Sequence, residues 1–241
     1  MVIRLDKYLC DMQAGTRSAV KDIIRKKKVT INGEVITRPE TKVDIDKDVV
    51  TIDNNVLGYS EYEYYMLNKP AGVVSAVSDK NFKTVVELIT DKKRKDLFPV
   101  GRLDKDTEGL LIITNNGDMA HRLLSPKHHI DKTYYVVAKG SIDNKYIDEF
   151  KNGLVVDKDF TAMPAKLEIL QYNNQDDTTL LNITIQEGKF HQIKRMFKAA
   201  GSEVLYLKRL SMGQLQLDET LEPGKFRPLT GSEIDLLKSW N

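Results

Sequence analysis

The sequence predicts an α+β fold with a mixed, mainly antiparallel sheet flanked by helices. Its β-prone segments are short and follow one another at hairpin-like spacing, and helical segments interrupt them irregularly. A doubly wound parallel sheet would require a regular alternation of strands and helices, which the pattern lacks. The chain has 241 residues, enough for one large domain or for a medium domain with a small appendage. We predict a small α/β domain over residues 1–58 and a larger domain over residues 59–241, joined at a turn-rich stretch near 54–60.

Composition indicates a globular, cytoplasmic protein without disulfides. Apolar residues make up 41% of the chain and charged residues 30%. Cys10 is the single cysteine, which excludes an intramolecular disulfide and a Cys-rich zinc site. The first residues show no basic segment followed by an apolar run, and no apolar stretch approaches the roughly 20 residues that cross a bilayer. The formal net charge is only +2, so total charge alone does not indicate a nucleic-acid partner.

The first domain is predicted to contain two helices and a hairpin. Apolar residues from Ile3 to Leu9 recur at helical spacing, and Thr16 is placed to cap a second helix. Asn32-Gly33 between two β-prone runs is a strong hairpin signal. Short strands are expected at 43–45 and 49–52.

The second helix carries a local concentration of positive charge. At 100° per residue Arg17, Lys21 and Lys28 fall on one side of it, with Arg25 nearby. Such a patch on a nearly neutral chain fits a phosphate-binding surface. A solvated helix end, where cations favour the helix dipole, explains the charge equally well.

The order of motifs favours the first interpretation. Arg-Leu-Asp-Lys-Tyr-Leu at 4–9, the basic helix, and Val-x-Ile-Asn-Gly at 29–33 resemble the αL RNA-binding domain first described in ribosomal small-subunit protein four. The resemblance covers residues 2 to about 54. It implies that the basic helix lies against structured RNA, with Arg17, Lys21, Arg25 and Lys28 as the contacting side chains.

The second domain is predicted to begin with a strand at 62–67 and a turn at 68–72. Further helices are expected at 84–90, at 119–124 with Asp118 as N-cap, and after Asp143. A helix is expected at 190–200, with Phe190, Ile193 and Phe197 facing inward. A last helix is expected at 234–240, after a capping box from Thr230 to Glu233. Further strands are expected at 110–114, 132–139, 154–157, 165–172, 178–186, 204–210 and 214–217.

A charged loop followed by a buried strand draws attention at residues 101–117. Asp104 stands one residue beyond an apolar run, between Arg102 and Lys105. A single loop aspartate usually caps its own turn. Here, however, the pattern Gly-Arg-Leu-Asp-x-Asp-Thr-x-Gly-Leu-Leu-x-x-Thr-x-x-Gly resembles the signature of pseudouridine synthases of the RsuA and RluA type. So many fixed positions in one window are far more specific than a lone glycine motif.

Two further segments match the same synthases in order and approximate separation. Lys-Thr-Tyr at 132–134 begins a strand, and Glu-Gly-Lys-Phe-His-Gln-Ile-Lys-Arg-Met-Phe at 187–197 leads into a helix. Alone, Tyr134 would be an ordinary strand aromatic, and Lys194 would lie on the wet face of an amphipathic helix. The His-Gln-Ile-Lys-Arg-Met-Phe form, together with the N-terminal domain, resembles the RsuA-type branch (RsuA, RluB, RluE and RluF).

Other chemistries find no support in the sequence. The four histidines show neither the i, i+4 spacing of a zincin nor an accompanying cysteine cluster. Phosphate-binding and dinucleotide-binding glycine motifs and a nucleophile elbow are also missing. Asp104 and Asp106, two apart on one loop, are poorly placed to act as a glycosidase pair. We therefore expect metal-free and cofactor-free chemistry.

The resemblance implies a pseudouridine-synthase catalytic domain acting on ribosomal RNA. Asp104 would be the catalytic residue, acting either as nucleophile at the sugar or as base on its 2′ hydrogen. Lys194 would supply the cation that keeps this carboxylate ionised, and Tyr134 would stack on the target base. Arg102 would fill the space left by the flipped nucleotide. Ile193 would line the base pocket, although a plain core position is an equal alternative.

The resemblance also gives a first-choice target, uridine-516 of 16S rRNA, either free or in a small-subunit assembly intermediate. A sister-branch synthase acting on 23S rRNA and a catalytically silent RNA-binding assembly factor are the alternatives. A monomer is the default expectation.

Overall fold

The computed structural model describes residues 1–239 and shows two compact units. One comprises Met1–Glu63 with Thr90–Leu97, and the other comprises Tyr64–Ile89 with the chain from Phe98 onward. The change from one unit to the other thus falls a few residues after the predicted boundary at 58. No sequence pattern indicated that the segment Thr90–Leu97 belongs with the first unit.

The first unit contains two helices and six short strands. They are β1 (Val2–Arg4), α1 (Leu5–Asp11), α2 (Arg17–Arg25), β2 (Val29–Ile31), β3 (Glu34–Ile36), β4 (Lys42–Asp44), β5 (Val50–Ile52) and β6 (Asn55–Val56). Strands β1 and β4 pair with each other, and the other four form a sheet in the order β3-β2-β5-β6. The fully buried side chains Leu5, Leu9, Val20 and Ile24 join the two helices to this core. Ile3 lies in β1, so the first helix begins two residues later than its spacing predicts.

Two local predictions in this unit are confirmed. The Thr16 hydroxyl caps α2 by accepting a hydrogen bond from the Ala19 amide at 3.3 Å. Strands β2 and β3 form the predicted hairpin, with φ values of +52° at Asn32 and +86° at Gly33. Positive φ at both positions is what a tight two-residue hairpin turn requires, and it explains the Asn-Gly pair.

Arg94 holds the segment Thr90–Leu97 within the first unit. Its guanidinium lies 3.3 Å from Asp11 and 2.7 Å from Asp96, and donates to the Tyr59 hydroxyl at 3.2 Å. Its backbone amide donates to Glu63 at 2.8 Å. A buried guanidinium is stable only when its donors are paired in this way.

The second unit is built on one large sheet. Its strands are β7 (Tyr64–Lys69), β8 (Phe98–Pro99), β9 (Glu108–Thr114), β10 (Lys132–Lys139), β11 (Val155–Asp157), β12 (Phe160–Thr161), β13 (Lys166–Asn173), β14 (Thr178–Ile185), β15 (Val204–Met212), β16 (Leu215–Gln216) and β17 (Phe226–Pro228). Its helices are α3 (Gly117–Leu124), α4 (Asn144–Asn152), α5 (Gln192–Ala199) and α6 (Gly231–Ser239), with a 3-10 turn at Pro126–His128.

The sheet order is β13-β14-β10-β15-β9-β7-β17, with β8 added on β9 and β16 on β15; β11 and β12 form a separate hairpin. Among these strands β15 and β9 pair in parallel, and the other pairs are antiparallel. The predicted α+β class with a mainly antiparallel sheet is therefore confirmed. The apolar run Leu110–Ile113 is almost fully buried, as expected for a central strand covered on both faces.

Some element predictions were wrong. No helix forms at 84–90, because Val85 donates to the Val74 carbonyl and Thr84 bridges to the same strand-like segment. Helix α3 is capped by the Asn116 side chain, two residues before Asp118. Helix α5 begins at Gln192, which leaves Phe190 outside it and exposed. The terminal helix is described to Ser239, and its predicted end at Trp240 lies outside the described residues. Within residues 1–239 no helix is long and apolar enough to cross a membrane.

The predicted capping box of α6 is present and extended by an ion pair. The Glu233 amide donates to the Thr230 hydroxyl at 3.2 Å, and the Glu233 carboxylate accepts from the Thr230 amide at 2.8 Å. The Arg227 guanidinium grips the same carboxylate with two hydrogen bonds of 2.8 Å. These hydrogen bonds, that of Arg227 first, lower the pKa of Glu233 to about 2.

We predict that Glu233→Gln destabilises the protein at neutral pH and that the difference shrinks as the pH falls below about 4.5. A carboxyl with a depressed pKa in the folded state stabilises the fold above its ordinary pKa, and this contribution is lost as pH falls from about 4.5 towards 2. A lost cap costs about 1 kcal/mol. Urea unfolding between neutral pH and about pH 3 measures the difference in the free energy of unfolding between the variant and the wild type. Glu219→Gln, in the preceding exposed loop, is the control. A difference that stays constant with pH would contradict the assignment.

Candidate active site

Asp104 lies in a loop, residues 101–107, that joins β8 to β9. The residue before it is fixed by Ser75, whose hydroxyl accepts from the Leu103 amide at 3.0 Å and donates to the Leu103 carbonyl at 2.8 Å. The Thr107 amide closes the loop by donating to the Asp104 carbonyl at 3.1 Å. The backbone is therefore held on both sides of Asp104.

A buried lysine holds the backbone of the same loop. Lys69, at the end of β7, is fully buried, and its ammonium donates to the carbonyls of Pro70 at 3.0 Å, Lys105 at 3.3 Å and Thr107 at 2.8 Å. Burial lowers the pKa of Lys69 to about 8. The sequence predicts a turn at 68–72. Nothing in the sequence indicates that Lys69 is completely buried, because lysine is usually exposed.

Gly109 allows β9 to lie against β15 directly after the loop. Its φ is +99°, and a Cβ built on it would lie 2.2 Å from the Arg209 carbonyl oxygen. Arg209, itself buried, donates from Nε to the Leu110 carbonyl at 2.7 Å. The glycine in the motif is therefore required by close backbone approach and by a left-handed conformation.

Helix α5 brings the second charged group to the site. Its N-cap, His191, has a left-handed φ of +49°. The buried Gln192 accepts from the Lys189 amide at 3.1 Å and donates to Glu187 at 3.0 Å, which fixes the turn before the helix. Met196 and Phe197 are fully buried and anchor the helix in the unit. Lys194, in the first turn, is thereby placed over the Asp104 loop.

Lys194 is shared by two carboxylates. Its Nζ lies 3.2 Å from Asp104 Oδ2 and 2.5 Å from Asp106 Oδ1. Burial lowers the pKa of Lys194, but the hydrogen bonds to Asp106 and Asp104 outweigh this and leave the pKa above its ordinary value. The Lys194 hydrogen bond also lowers the pKa of Asp106. His191 Nε2 lies 3.6 Å from Asp104 Oδ1. The group next to Asp104 is thus a permanently charged ammonium, as electrostatic support for a carboxylate requires.

The aromatic residue comes from the sheet. Tyr134 is buried in β10, and the register between β10 and β15 shifts between Thr133 and Tyr134. Such bulges re-aim side chains near functional sites. Ile193 is also buried, next to Lys194 in α5.

All five residues predicted for the catalytic domain line one small cavity of about 60 Å³: Arg102, Asp104, Tyr134, Ile193 and Lys194. A larger cleft of about 1040 Å³ shares Arg102, Asp104 and His191 with it. Arg102 is exposed. Within residues 1–239 no group of three or more His, Cys, Asp or Glu side chains could hold a metal ion.

In the first unit, the predicted RNA-contacting side chains are all exposed: Arg17, Lys21, Arg25 and Lys28. Helix α2 ends at Arg25, and Lys27 has a φ of +60°, so the helical projection does not extend to Lys28. Lys28 pairs instead with Asp53 at 3.1 Å.

Three neighbours of the site were not among its predicted residues: Lys69, Asp106 and His191. The position of Asp106 inside the long motif was a signal of a role. His191 likewise lies in the third motif. No sequence pattern pointed to Lys69, because it donates hydrogen bonds to backbone carbonyls that only the folded chain brings together.

Comparison with known families identifies the class of protein. The family model described as RNA pseudouridylate synthase matches residues 63–199, and the S4 domain model matches residues 3–50. The chain therefore belongs to the RNA pseudouridylate synthase family, whose members are isomerases that act on RNA, and it carries an S4 RNA-binding domain.

Full-length relatives define the branch. Ribosomal small subunit pseudouridine synthase A of Escherichia coli (strain K12) is 36% identical over 234 residues, covering 96% of this chain and 98% of that protein. An uncharacterized RNA pseudouridine synthase of Bacillus subtilis (strain 168) is 45% identical over 236 residues, 98% of both chains. A crystal structure of a pseudouridylate synthase aligns with a TM-score of 0.67 at 38% identity, covering 98% of this chain and 99% of that one. The predicted RsuA-type membership is confirmed.

We predict that Gly109→Ala strongly destabilises the second unit. A side chain there would meet the Arg209 carbonyl at 2.2 Å in a left-handed conformation, and the combined strain should cost roughly 3 kcal/mol or more. Gly117→Ala is the matched control, since a Cβ at Gly117 meets nothing within 4 Å. Urea unfolding of both variants tests this, and equal stability of the two would show that the backbone contact is unimportant.

Proposed function

We propose that this synthase converts a uridine of 16S rRNA to pseudouridine, with Asp104 as the catalytic residue and uridine-516 as the first target to test. The observation that carries the proposal is the pairing of Asp104 with Lys194 at 3.2 Å inside the cavity that Tyr134 lines. Relatives named ribosomal small subunit synthases support the choice of 16S rRNA. The reaction belongs in the cytoplasm, where this RNA is made, and a monomer suffices for it.

The reaction is an isomerisation that needs no oxidant or cofactor. The glycosidic bond between N1 and C1′ breaks, the uracil turns, and a bond forms between C5 and C1′. The proton on C5 leaves, and N1 gains a proton. Asp104 starts the sequence as a carboxylate, either by attacking the sugar at C1′ or by removing the 2′ hydrogen. Lys194 stabilises that carboxylate charge, and its raised pKa keeps it an ammonium throughout the neutral range.

The remaining cavity residues hold the base. Extruding a nucleotide costs a few kcal/mol, and stacking on an aromatic ring returns about 1–3 kcal/mol. Tyr134 offers that ring, while Ile193 and Leu207 form an apolar wall that limits the access of water. Arg102, exposed at the rim, is placed to fill the gap that the extruded nucleotide leaves.

The S4 domain would hold the RNA outside the cavity. On α2, Arg17, Lys21 and Arg25 are exposed and can each contact a phosphate. Lys28 has to leave Asp53 to do the same, so its contribution should be smaller. Either free rRNA or an assembly intermediate can present such phosphates.

We predict that Asp104→Asn abolishes pseudouridine formation. The amide can neither attack the sugar nor act as a base, so activity should fall by at least about 10³-fold, as when a residue that touches reacting atoms is removed. Tritium release from 5-tritiated uridine in rRNA measures this, and mapping of pseudouridines identifies the position. Full activity of the variant would refute the role of Asp104. No tritium release by the unaltered protein would favour a silent assembly factor, and release from 23S rRNA alone would favour a sister-branch specificity.

Asp106→Asn is the matched comparison for Asp104→Asn. It removes the other carboxylate that contacts Lys194 and leaves Asp104 in place. Because Asp106 is largely exposed and holds Lys194 without reaching the cavity, we expect a partial loss, mainly in kcat. Equal losses in the two variants would mean that the position of Lys194, and not the chemistry of Asp104, had been disrupted.

We predict that Lys21→Ala weakens RNA binding in a salt-dependent way. Loss of one phosphate contact should reduce the slope of log K against log salt by about 1. Filter binding of 16S rRNA fragments at several salt concentrations measures the slope. Lys47→Ala, an exposed lysine elsewhere in the first unit, should leave it unchanged. Identical slopes for the two variants would remove α2 from the RNA-binding surface.

A further inference from the structure

Phe190 is an exposed aromatic side chain on the wall of the large cleft. It is 70% exposed, although phenylalanine is among the side chains most often buried. One face of its ring stacks on the His191 ring, with centroids 3.8 Å apart and an interplanar angle of 16°. The rest of the ring faces the cleft. Core packing therefore does not explain this residue.

The stacked pair contacts the Asp104 carboxylate through its imidazole. His191 Nε2 is 3.6 Å from Asp104 Oδ1, and the Phe190 ring stacks on the same imidazole. The backbone under the pair is held, because Arg195 donates to the Phe190 carbonyl at 3.3 Å and Gln192 fixes the amide of Lys189. The aromatic surface is thus presented at a defined place beside the reaction centre.

The surroundings of Phe190 suit a nucleotide. The cleft is lined by the exposed cations Arg102, Lys105 and Lys189, against the two carboxylates Asp104 and Glu187. Glu187 is engaged by Lys189 at 3.3 Å. A flat apolar ring within a cationic cleft is the usual combination for binding single-stranded nucleic acid, in which rings stack on bases and cations follow phosphates.

We propose that Phe190 is a stacking platform for the base of a nucleotide adjacent to the target uridine. The inference rests on the proposed function. When the target uridine leaves the RNA stack, its neighbour loses a stacking partner. A base that lies on the free face of Phe190 regains that partner and forms a continuous base–Phe190–His191 stack, whose imidazole contacts Asp104 through Nε2. Phe190 would then favour the extruded state and contribute to the choice of site.

Phe82, another exposed aromatic of the second unit, shows why Phe190 is distinct. The ammonium of Lys105 lies 3.5 Å from the centroid of the Phe82 ring and occupies a face of it. Phe82 is 44% exposed, against 70% for Phe190. Of these two rings, that of Phe190 combines the larger exposed surface with a position in the cleft lining.

The test compares Phe190→Leu with Phe190→Tyr on a short 16S rRNA fragment that spans uridine-516. Leucine keeps apolar bulk but has no aromatic face, so kcat/KM should fall by about 10-fold, while tyrosine should retain the activity. Replacing the neighbouring nucleotide that stacks by an abasic one should lower wild-type kcat/KM by a similar factor. On that abasic RNA, Phe190→Leu should cause no further loss. Leu170→Ala, an exposed apolar side chain on β13, is the control and should behave as wild type.

Failure of this inference can be told apart from failure of the proposed function. Suppose that the wild type forms pseudouridine, and that Phe190→Leu lowers kcat/KM by the same factor on intact RNA as on RNA that is abasic at either neighbour of the uridine. The stacking platform is then refuted, and the synthase proposal stands. If the wild type forms none in this fragment, binding still decides the inference. A 2-aminopurine next to the uridine should be quenched on binding by the wild type and not by Phe190→Leu, and equal quenching would overturn it.

Discussion

The contact of Lys194 with Asp104 and Asp106 is the interaction on which the rest of the site depends. It joins a loop to a helix about ninety residues further along the chain. Lys194 is the cation that faces the Asp104 carboxylate, so the charge balance around this carboxylate depends on the position of the helix. The parallel pairing of β9 with β15 places the loop, and Gly109 allows that pairing to be close enough. The sheet topology therefore helps to determine which charged side chains face one another in the site.

Two buried lysines give the site its rigidity. Lys69 donates to carbonyls of the Asp104 loop, and Lys132 donates to the Ile130 carbonyl at 2.9 Å and the Gln186 carbonyl at 3.2 Å, just before the turn that leads to α5. Burial lowers the pKa of each to about 8. An ammonium has three donors and can tie several carbonyls at one point, which an apolar side chain cannot do. Lys69 thus holds the Asp104 loop, and Lys132 holds the chain just before the turn that leads to α5.

Sequence alone predicted those parts of the fold and site that follow from local patterns. The Asn-Gly hairpin, the Thr16 cap and the α6 capping box depend on neighbouring residues and were found where expected. Asp104, Tyr134 and Lys194 were found through motif resemblance, since no periodicity brings such distant positions together. Phe190 was misplaced because the left-handed conformation of His191 interrupts the helical period. The burial of Lys69 and the shared contact of Asp106 depend on tertiary structure and left no local pattern.

The size of the catalytic cavity limits what it can recognise. In the proposed reaction, the space of about 60 Å³ bounded by Tyr134, Ile193 and Asp104 receives one base, and every uridine offers the same base. Selection of one uridine in a long RNA must therefore come from contacts outside the cavity. Phosphate contacts position an RNA without reading its sequence, whereas stacking beside the reaction centre responds to whether the neighbouring base is free to stack. Binding energy used in this way favours the extruded nucleotide over the stacked one, so it accelerates the reaction instead of merely tightening the complex.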